Sequence, residues 1–382
     1  MANITKRGDT YRIKVSCGYD VNGKQVVKSM TYKPDPAKSD KWNDKELQRQ
    51  AILFEESCKQ GTSITVAKFE TFAREWFKDY AELKLKRNTL ITYHSRTKRI
   101  YSVLGHLRID RITPLDIQRL VRSLVADGLC TEAVKGYVRL VSVILNYAVK
   151  KRLLTYNPCI TVDYPMKQEI KRDFYSVEEV KKLLEILRNE DEKYKPYALF
   201  FTLASYTGAR RGELAGLEWK DIDFDNDTLT IARAYYYDPQ KKEYFTDTPK
   251  THTSRRSLKL PAHLMETLKQ YKAWQDEQRD ILGGSWVDSD RLFTRWNGVP
   301  MNPSAPAQYL AQLSKRTGIR KVSIHSFRHF NASALINSGV DVVTVQAALG
   351  HSTASTTLSI YSHAFSTAQT RAMEAIANVI DL

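Results

Sequence analysis

Five short segments in the second half of the sequence contain residues suited to phosphate chemistry. In chain order, these segments contain Arg210, Lys250, the pair His325 and Arg328, His351, and Tyr361. An arginine flanked by glycines can direct its planar guanidinium at a phosphate and bind two of its oxygens. A lysine at a hairpin tip can reach into a site that other segments form. Together these cations indicate a phosphate-binding site that is followed in the chain by a tyrosine.

The order and spacing of the segments carry more information than any one of them. Residues 207–213 are TGARRGE, and residues 325–328 are HSFR, a spacing that places His325 and Arg328 on one face of a helix. Tyr361 follows Arg328 by 33 residues and His351 by 10. A single arginine turn, histidine or tyrosine is more often structural than catalytic. The prediction of an active site therefore depends on the complete set.

Several common catalytic signatures are absent from the sequence. It has no glycine-rich phosphate loop, no HExxH or GxSxG motif, and no group of three acidic residues suited to Mg²⁺. The four cysteines form no CxxC pair, which is typical of reduced thiols in a cytosolic protein. If the chain is an enzyme, we expect it to use neither ATP, nor a cofactor, nor a protein-bound metal.

Residues 170–382 are predicted to form the mixed α+β domain that positions these segments. The hydrophobic pattern predicts helices over 176–187 and 197–205, and short strands over 228–233, 244–246 and 257–260. Further helices are expected in the rest of the domain. The last carries an apolar stripe of Ala372, Met373, Ile376, Val379 and Ile380. This stripe predicts a C-terminal docking helix that packs on its own domain or on a neighbouring subunit.

Residues 64–160 are predicted to be all-α, with four helices. The first has one aromatic face made by Phe69, Phe72, Trp76 and Tyr80. The second spans 89–104, the third spans 115–126 after the start signal Thr113-Pro114, and the fourth spans 131–150.

Residues 1–60 are predicted to form a three-stranded sheet with a covering helix. Apolar and polar residues alternate over 11–15, and Asn22-Gly23 is a strong signal for a tight hairpin. Because so small a sheet cannot bury its apolar face alone, we expect a helix over 44–59 to cover it. Its expected apolar residues are Leu47, Ile52, Leu53 and Phe54.

The charge distribution indicates a polyanionic partner. The chain of 382 residues has 59 Lys and Arg against 43 Asp and Glu, a net charge of +16. Residues 64–165 alone hold 18 basic and 9 acidic side chains.

No apolar run approaches the roughly 20 residues that cross a bilayer, and the N-terminus lacks the apolar core of a signal peptide.

The ordered set of segments resembles the tyrosine recombinase (phage integrase) family. TGARRGE is similar to its first arginine box and HSFRH to its HxxR box, and LGH and the IY at Tyr361 complete the pattern. The resemblance implies a multidomain protein. Residues 1–60 resemble the arm-type DNA-binding domain of integrases from conjugative transposons and Gram-positive phages. Residues 64–160 resemble the SAM-like core-binding domain, and residues 170–382 the catalytic domain.

The resemblance also implies the reaction and its residues. The implied catalytic residues are Arg210, Lys250, His325, Arg328, His351 and the nucleophile Tyr361. Arg211 competes with Arg210, but the pattern TGxRxGE selects Arg210, whereas Lys242 and Lys259 remain rivals of Lys250. The implied activity is site-specific DNA recombination through a 3′-phosphotyrosine intermediate and a Holliday junction.

The implied partners are double-stranded DNA at core and arm sites, an excisionase, a host DNA-bending factor, and further copies of the chain in a homotetramer. A cytoplasmic, nucleoid-associated protein of a bacterial host is expected, with no membrane contact. The basic residues that we expect to contact DNA are Arg12, Lys14, Lys24 and Lys28 in the sheet and Arg96 and Arg99 in the helical domain.

Three other functions are weighed against recombination. A type IB topoisomerase shares the reaction, but it needs neither an arm-type sheet nor a docking helix. A DNA-binding regulator without activity explains the charge but not the ordered segments. A scaffold that only contains these segments is the remaining alternative.

Overall fold

The computed structural model describes residues 2–19, 25–59, 67–166, 175–247 and 255–350, together with Ala377 and Ile380. The chain divides into two compact units, residues 1–169 and residues 170–382. Within the described ranges, no helix combines the length and the apolar character needed to cross a bilayer.

The first unit opens with the predicted three-stranded antiparallel sheet. Strands β1 (Asn3–Arg7), β2 (Thr10–Tyr19) and β3 (Gln25–Tyr32) pair in the order β1-β2-β3. Alternation along β2 buries Ile13 and Val15 on one face. The predicted turn at Asn22-Gly23 lies outside the described residues.

Helix α1 (Asp40–Lys59) covers this sheet, but not with all the residues that we expected. Leu47 and Ala51 are buried against it, whereas Ile52 and Leu53 are 58% and 48% exposed. The expectation for Ile52 and Leu53 was wrong because residues on one helix face recur every three or four positions. Leu47, Ala51 and Phe54 satisfy this spacing, and the two exposed residues lie on the other side.

The rest of the first unit is helical, as predicted. Its helices are α2 (Phe69–Trp76), α3 (Glu82–Lys84), α4 (Arg87–Leu104), α5 (Pro114–Ala126) and α6 (Thr131–Lys150). The helices other than α3 share one apolar core. The start signal at Thr113 is confirmed as a capping box, in which the carboxylate of Asp116 accepts the Thr113 backbone N–H at 2.9 Å.

The predicted aromatic face of the first helix is interrupted by a π-helical turn over Phe77–Ala81. Phe77 follows Phe69 by eight positions, so the α-helical period already places it beside Trp76 on the buried stripe. Trp76 and Phe77 are both buried, at 1% and 4% exposure, whereas Tyr80, inside the wider turn, is only partly buried. The Tyr80 ring still contacts Trp76, with ring centroids 6.0 Å apart.

The second unit is the predicted mixture of helices and small sheets. Its helices are α7 (Val177–Arg188), α8 (Lys195–Thr207), α9 (Arg211–Ala215), α10 (Ala262–Leu282), α11 (Ala305–Thr317), α12 (His325–Asn337) and α13 (Val342–Leu349). Its strands are β4 (Ile222–Asp223), β5 (Thr228–Ile231), β6 (Ala234–Asp238), β7 (Glu243–Asp247) and β8 (Arg256–Lys259). Strands β4, β5 and β8 form one antiparallel sheet, and β6 and β7 form a separate hairpin. The large core surrounds α8, whose Phe200, Phe201 and Leu203 are fully buried.

The sequence pattern missed strand β6. The strand predicted over 228–233 ends at Ile231, and β6 begins at Ala234 after a two-residue break. β6 pairs with β7 from Ala234↔Asp247 to Asp238↔Glu243. The predicted strand stopped at Arg233, so the aromatic run at 235–237 was left unassigned although aromatic residues favour strands.

Candidate active site

Arg210 lies at the N-terminus of a short helix that follows a sharp turn. Gly208 ends α8 in the left-handed conformation, with φ of 58°, and Arg210 is the N-cap of α9. A Cβ atom on Gly208 would lie only 2.5 Å from Cδ2 of Leu349. Glycine is therefore needed here both for the backbone angle and for close contact with the C-terminus of α13.

The Arg210 guanidinium is held on one side and exposed on the other. Its Nη1 donates to Oε1 of Glu213 at 2.7 Å, and its Nη2 points to the carbonyl oxygen of Gly350 at 3.4 Å. The side chain remains 41% exposed. Arg210 is thus oriented by protein groups while part of its guanidinium is accessible to an anion.

Glu213 is the buried carboxylate that orients Arg210. Its side chain is 4% exposed, and its Oε2 accepts the Arg210 backbone N–H at 3.0 Å and Nη2 of Arg256 at 3.2 Å. Burial raises the pKa of Glu213, but the positive charges of Arg256 and Arg210 outweigh that effect and hold the pKa below its ordinary value. The carboxylate is therefore ionised at neutral pH.

Arg328 is almost fully buried and bonds to two backbone carbonyls. Its side chain belongs to α12, and the residue is 2% exposed. Nη1 donates to the carbonyl of Gly208 at 2.9 Å, and Nη2 donates to the carbonyl of Leu349 at 2.6 Å. Arg328 thereby joins the turn before Arg210 to the C-terminus of α13.

The two arginines converge on consecutive carbonyls at the end of α13. Arg328 bonds to Leu349 and Arg210 approaches Gly350, which closes the helix with φ of 66°. Residues 207–213, 325–328 and 349–350, which the sequence analysis grouped only by order, are therefore neighbours in space. The next residue in the chain is His351, one of the predicted site residues.

His325 begins α12, three residues before Arg328. Its side chain is exposed, and its ring lies 4.8 Å from the buried ring of His329, nearly perpendicular to it. An exposed imidazole at a helix start, one turn from a buried arginine, is accessible to a bound substrate.

Two further residues, which the motifs did not indicate, also contact this cluster. Asn331 is buried on α12, where its Nδ2 donates to the carbonyls of Ser205 and Tyr206 at 3.0 and 2.9 Å. Arg256, at the start of β8, binds Glu213 with a side chain that is 6% exposed. Asn331 lies one turn beyond Arg328 on α12, and this spacing is the sequence signal that could have indicated it. Nothing in the sequence distinguished Arg256 from the neighbouring Arg255.

The remaining predicted catalytic residues, Lys250, His351 and Tyr361, lie outside the described residues. So do Ala372, Met373, Ile376 and Val379 of the predicted docking helix. Of the rivals, Lys242 occupies the turn between β6 and β7 with φ of 53°, Lys259 ends β8, and Arg211 is exposed at the first position of α9. Within the described ranges, no three His, Cys, Asp or Glu side chains are grouped as metal ligands.

The sheet residues predicted to contact DNA divide between its two faces. Strand register places Arg12 beside Thr31 and Lys14 beside Ser29, on the face away from Ile13. Lys28 pairs with Val15 and therefore lies on the face that α1 covers. Lys24 lies outside the described residues.

The two arginines of the helical region have contacts within the chain. Nη1 of Arg96 donates to the carbonyl of Gly136 at 2.8 Å, and its guanidinium lies over the ring of Tyr137. Nη1 of Arg99 donates to Oη of Tyr137 at 3.1 Å, and its Nε lies 3.1 Å from Oδ2 of Asp127. These bonds link α4 to α6 and to the end of α5.

The chain is similar to known proteins of one family. Residues 174–367 match the phage integrase family, and residues 68–125 match the N-terminal SAM-like domain of phage integrases. A XerC-like tyrosine recombinase of Caldanaerobacter subterraneus is 28% identical over 98% of this chain and 97% of its own length. The ICEBs1 integrase of Bacillus subtilis is 27% identical over 67% of this chain and 68% of its own length.

Solved structures share the fold. The Tn1549 transposon integrase, in complex with a circular intermediate DNA, superimposes with a TM-score of 0.69 at 19% identity, over 81% of this chain and all of that one. A lambda integrase dimer bound to a core site gives a TM-score of 0.58 at 18% identity, over 94% of both chains. With the converging arginines and the family match over half of its length, this chain belongs to the phage integrase family of tyrosine recombinases.

Proposed function

We propose that this recombinase cleaves and rejoins DNA with Tyr361 as nucleophile and a phosphate bound by Arg210 and Arg328. The supporting observation is the convergence of these two guanidinium groups at Leu349 and Gly350. His351 follows directly in the chain, and Tyr361 lies ten residues further on. This sequence separation is short enough for the tyrosine to reach the same phosphate.

The cations would stabilise the negative charge that develops during the reaction. Attack on a phosphodiester gathers negative charge on the non-bridging oxygens. Preorganised donors stabilise that charge, and the loss of one such donor typically slows a reaction by ~10²–10³-fold. Arg210 is exposed enough to bind the phosphate directly, and His351 would supply a further hydrogen bond.

Proton transfer then decides how easily the bonds form and break. The tyrosine hydroxyl is a weak nucleophile with an ordinary pKa near 10, so a base must accept its proton. His325, exposed at the start of α12, would take that role. Oη of Tyr361 forms a bond to phosphorus, the bond from phosphorus to the 5′ oxygen breaks, and Lys250 gives a proton to the departing oxygen.

The neighbours of the segment 248–254 support Lys250 over its rivals. Asp247, before this segment, pairs with Ala234, whose Cα lies against Gly216 at the end of α9. Arg256, after it, binds Glu213. Both ends of the segment therefore lie beside the arginine turn.

The rivals lie further along their strands. Lys242 is five residues from Asp247, about 17 Å at the rise of an extended strand. Lys259 is three residues beyond Arg256, or about 10 Å. Both rivals are therefore separated along their strands from the two ends of segment 248–254 that lie beside the arginine turn.

The covalent 3′-phosphotyrosine conserves the free energy of the broken bond, so rejoining needs no ATP. A 5′ hydroxyl from a second duplex attacks the phosphorus, Tyr361 leaves with its bonding electrons, and the strand is joined to a new partner. Repetition on the second pair of strands resolves a Holliday junction. Two duplexes with two cleavages each require four protomers, so we propose a homotetramer on DNA.

DNA would also be held outside the active site. Arg12 and Lys14 share the open face of the N-terminal sheet with the hydroxyls of Ser29 and Thr31, a mixture of groups suited to bases and phosphates at arm sites. We propose core and arm sites in double-stranded DNA, help from an excisionase and a host bending factor, and a cytoplasmic, nucleoid-associated location in a bacterial host. The DNA named in the Tn1549 and lambda integrase complexes supports this choice of partner.

The test is a nicked duplex that carries the end of the mobile element encoding the chain, so that cleavage traps the covalent adduct. Wild type should form the adduct, and peptide mapping should find it on Tyr361. Tyr361→Phe should form none while binding the same duplex with unchanged affinity. An adduct on another residue would refute the assignment, and relaxation of plasmids that lack paired sites would indicate a topoisomerase instead.

A further inference from the structure

A buried carboxylate lies between two arginines from different elements. Glu213 accepts Nη1 of Arg210 from α9 at 2.7 Å and Nη2 of Arg256 from β8 at 3.2 Å. The side chains of Glu213 and Arg256 are 4% and 6% exposed, whereas that of Arg210 is 41% exposed. Arg256 is thus an interior cation, and Arg210 is the member of the trio that solvent or DNA can reach.

The charges of the trio determine how strongly Arg210 attracts a phosphate. With Glu213 ionised, the three side chains carry a net charge of +1. If Arg256 were absent, the carboxylate would neutralise Arg210 and the net charge would be zero. Interactions between these groups are strengthened by burial, because the protein interior screens charge less than water does.

We propose that Arg256 is a positioning residue that offsets the charge of Glu213, so that Arg210 stays oriented by the carboxylate yet keeps its positive charge for the DNA phosphate. This inference rests on the proposed function and extends it to a residue outside the six-residue set. Glu213 alone would orient Arg210 but would neutralise its positive charge. With Arg256 present, Glu213 still orients Arg210, and the three side chains keep a net positive charge.

A different role for Arg256 predicts different chemistry. Arg256 begins β8, shortly after the segment that contains Lys250. In this alternative, the only role of Arg256 is to anchor that segment. The two roles affect different atoms. Arg210 acts on the non-bridging oxygens of the phosphate, whereas Lys250 acts on the departing 5′ oxygen.

The first experiment measures single-turnover adduct formation on the nicked duplex. Arg256→Met keeps most of the side-chain volume and removes the charge. We expect its rate to fall about 10–100-fold, the usual cost of losing a supporting residue, with DNA affinity unchanged. The double variant Arg256→Met with Glu213→Gln should be at least about tenfold faster than Arg256→Met, because no uncompensated carboxylate remains beside Arg210. An Arg256→Met rate equal to wild type, or no gain in the double variant, would overturn the inference.

The second experiment replaces the departing 5′ oxygen with sulfur. A thiolate leaves readily without a general acid, because thiols have a much lower pKa than alcohols. Lys250→Ala, the matched control, should regain most of its rate on this substrate, whereas Arg256→Met should stay slow. If sulfur restores Arg256→Met as well, then Arg256 acts through the Lys250 segment and the proposal is wrong.

Arg256→Lys separates charge from folding. It keeps the positive charge, so we expect at least a third of the wild-type rate together with a native melting temperature. A lysine variant that folds but is as slow as Arg256→Met would also overturn the proposal. If wild type itself forms no adduct on Tyr361, the proposed function fails first, an outcome distinct from all of these.

Discussion

Two pairs of arginines, one in each compact unit, differ both in their sequence settings and in their structural roles. Arg96 and Arg99 lie on the polar side of α4, and their guanidinium groups bond to groups of α6 and to Asp127. Arg210 and Arg328 lie in motif segments that are 118 residues apart, and their guanidinium groups meet at one helix end. The basic face of α4 thus includes arginines that link helices, while arginines from separated motifs converge on one helix end.

The two arginines of the candidate site also differ from each other. Arg328 is buried and bonds to backbone carbonyls, so it contributes to the fold as well as to the site. Arg210 is half exposed and is held by a carboxylate. One arginine therefore joins segments of the fold through their backbone carbonyls, and the other keeps part of its guanidinium accessible.

The largest expected effects come from replacing these two arginines separately with lysine. Arg328→Lys should lose adduct formation and also stability, because each buried carbonyl left without a donor costs about 1–3 kcal/mol. Arg210→Lys should slow adduct formation by ~10²–10³-fold and change stability much less. Urea unfolding and single-turnover trapping measure both quantities. Equal destabilisation by the two variants would contradict the division of roles.

Local signals predicted most of the fold. The Thr113-Pro114 capping signal and the alternation around Ile13 act over a few residues, and both were confirmed. Ile52 and Leu53 were expected in the core because both are apolar, although helical spacing from Leu47 excludes them, and the π turn was not predicted. Strand β6 was missed although the aromatic run at 235–237 favours a strand.

The candidate site could be predicted only for the residues that belong to recognisable motifs. Arg210, His325 and Arg328 were predicted from the ordered motifs and the family resemblance, and the structure places the two arginines together. Arg256 and Asn331 were not identified. Their contacts join segments 43 and more than 120 residues apart, and only the folded chain shows such pairs. Helix periodicity likewise could not show that Arg96 and Arg99 have partners on α6.

A smaller effect would distinguish arginines that link helices from the sheet cations that we propose to contact DNA. Arg12→Gln and Lys14→Gln should each reduce the slope of log affinity against log salt by up to ~0.9 on DNA with arm sites, as expected for loss of one phosphate contact. Arg96→Gln and Arg99→Gln should change this slope less and instead lower stability by about 1 kcal/mol, because each loses hydrogen bonds between helices. A large slope change with native stability in the α4 variants would show that their guanidinium groups bind DNA after all.

The smallest effect that we predict is the loss of stability of the two units at acid pH. Burial raises the pKa of both Glu213 and Asp116, but arginines around Glu213 and hydrogen bonds from Thr113 to Asp116 reverse that effect, so both values lie below their ordinary range. A carboxylate with a lowered folded-state pKa stabilises the protein above its unfolded pKa. That contribution is lost as the pH falls through the folded-state value.

Stability should therefore decline below about pH 4, near the ordinary carboxyl pKa values. Glu213→Gln should flatten the decline for unfolding of residues 170–382, and Asp116→Asn should flatten it for residues 1–169. Thermal unfolding from pH 3 to 7, followed by limited proteolysis to assign each transition, measures both slopes. Glu213→Gln should give the larger change, because its carboxylate has two arginine partners while Asp116 has one exposed arginine, Arg119, at 2.8 Å. The reverse order would mean that the hydrogen bonds of the helix cap outweigh the buried ion pairs of the active site.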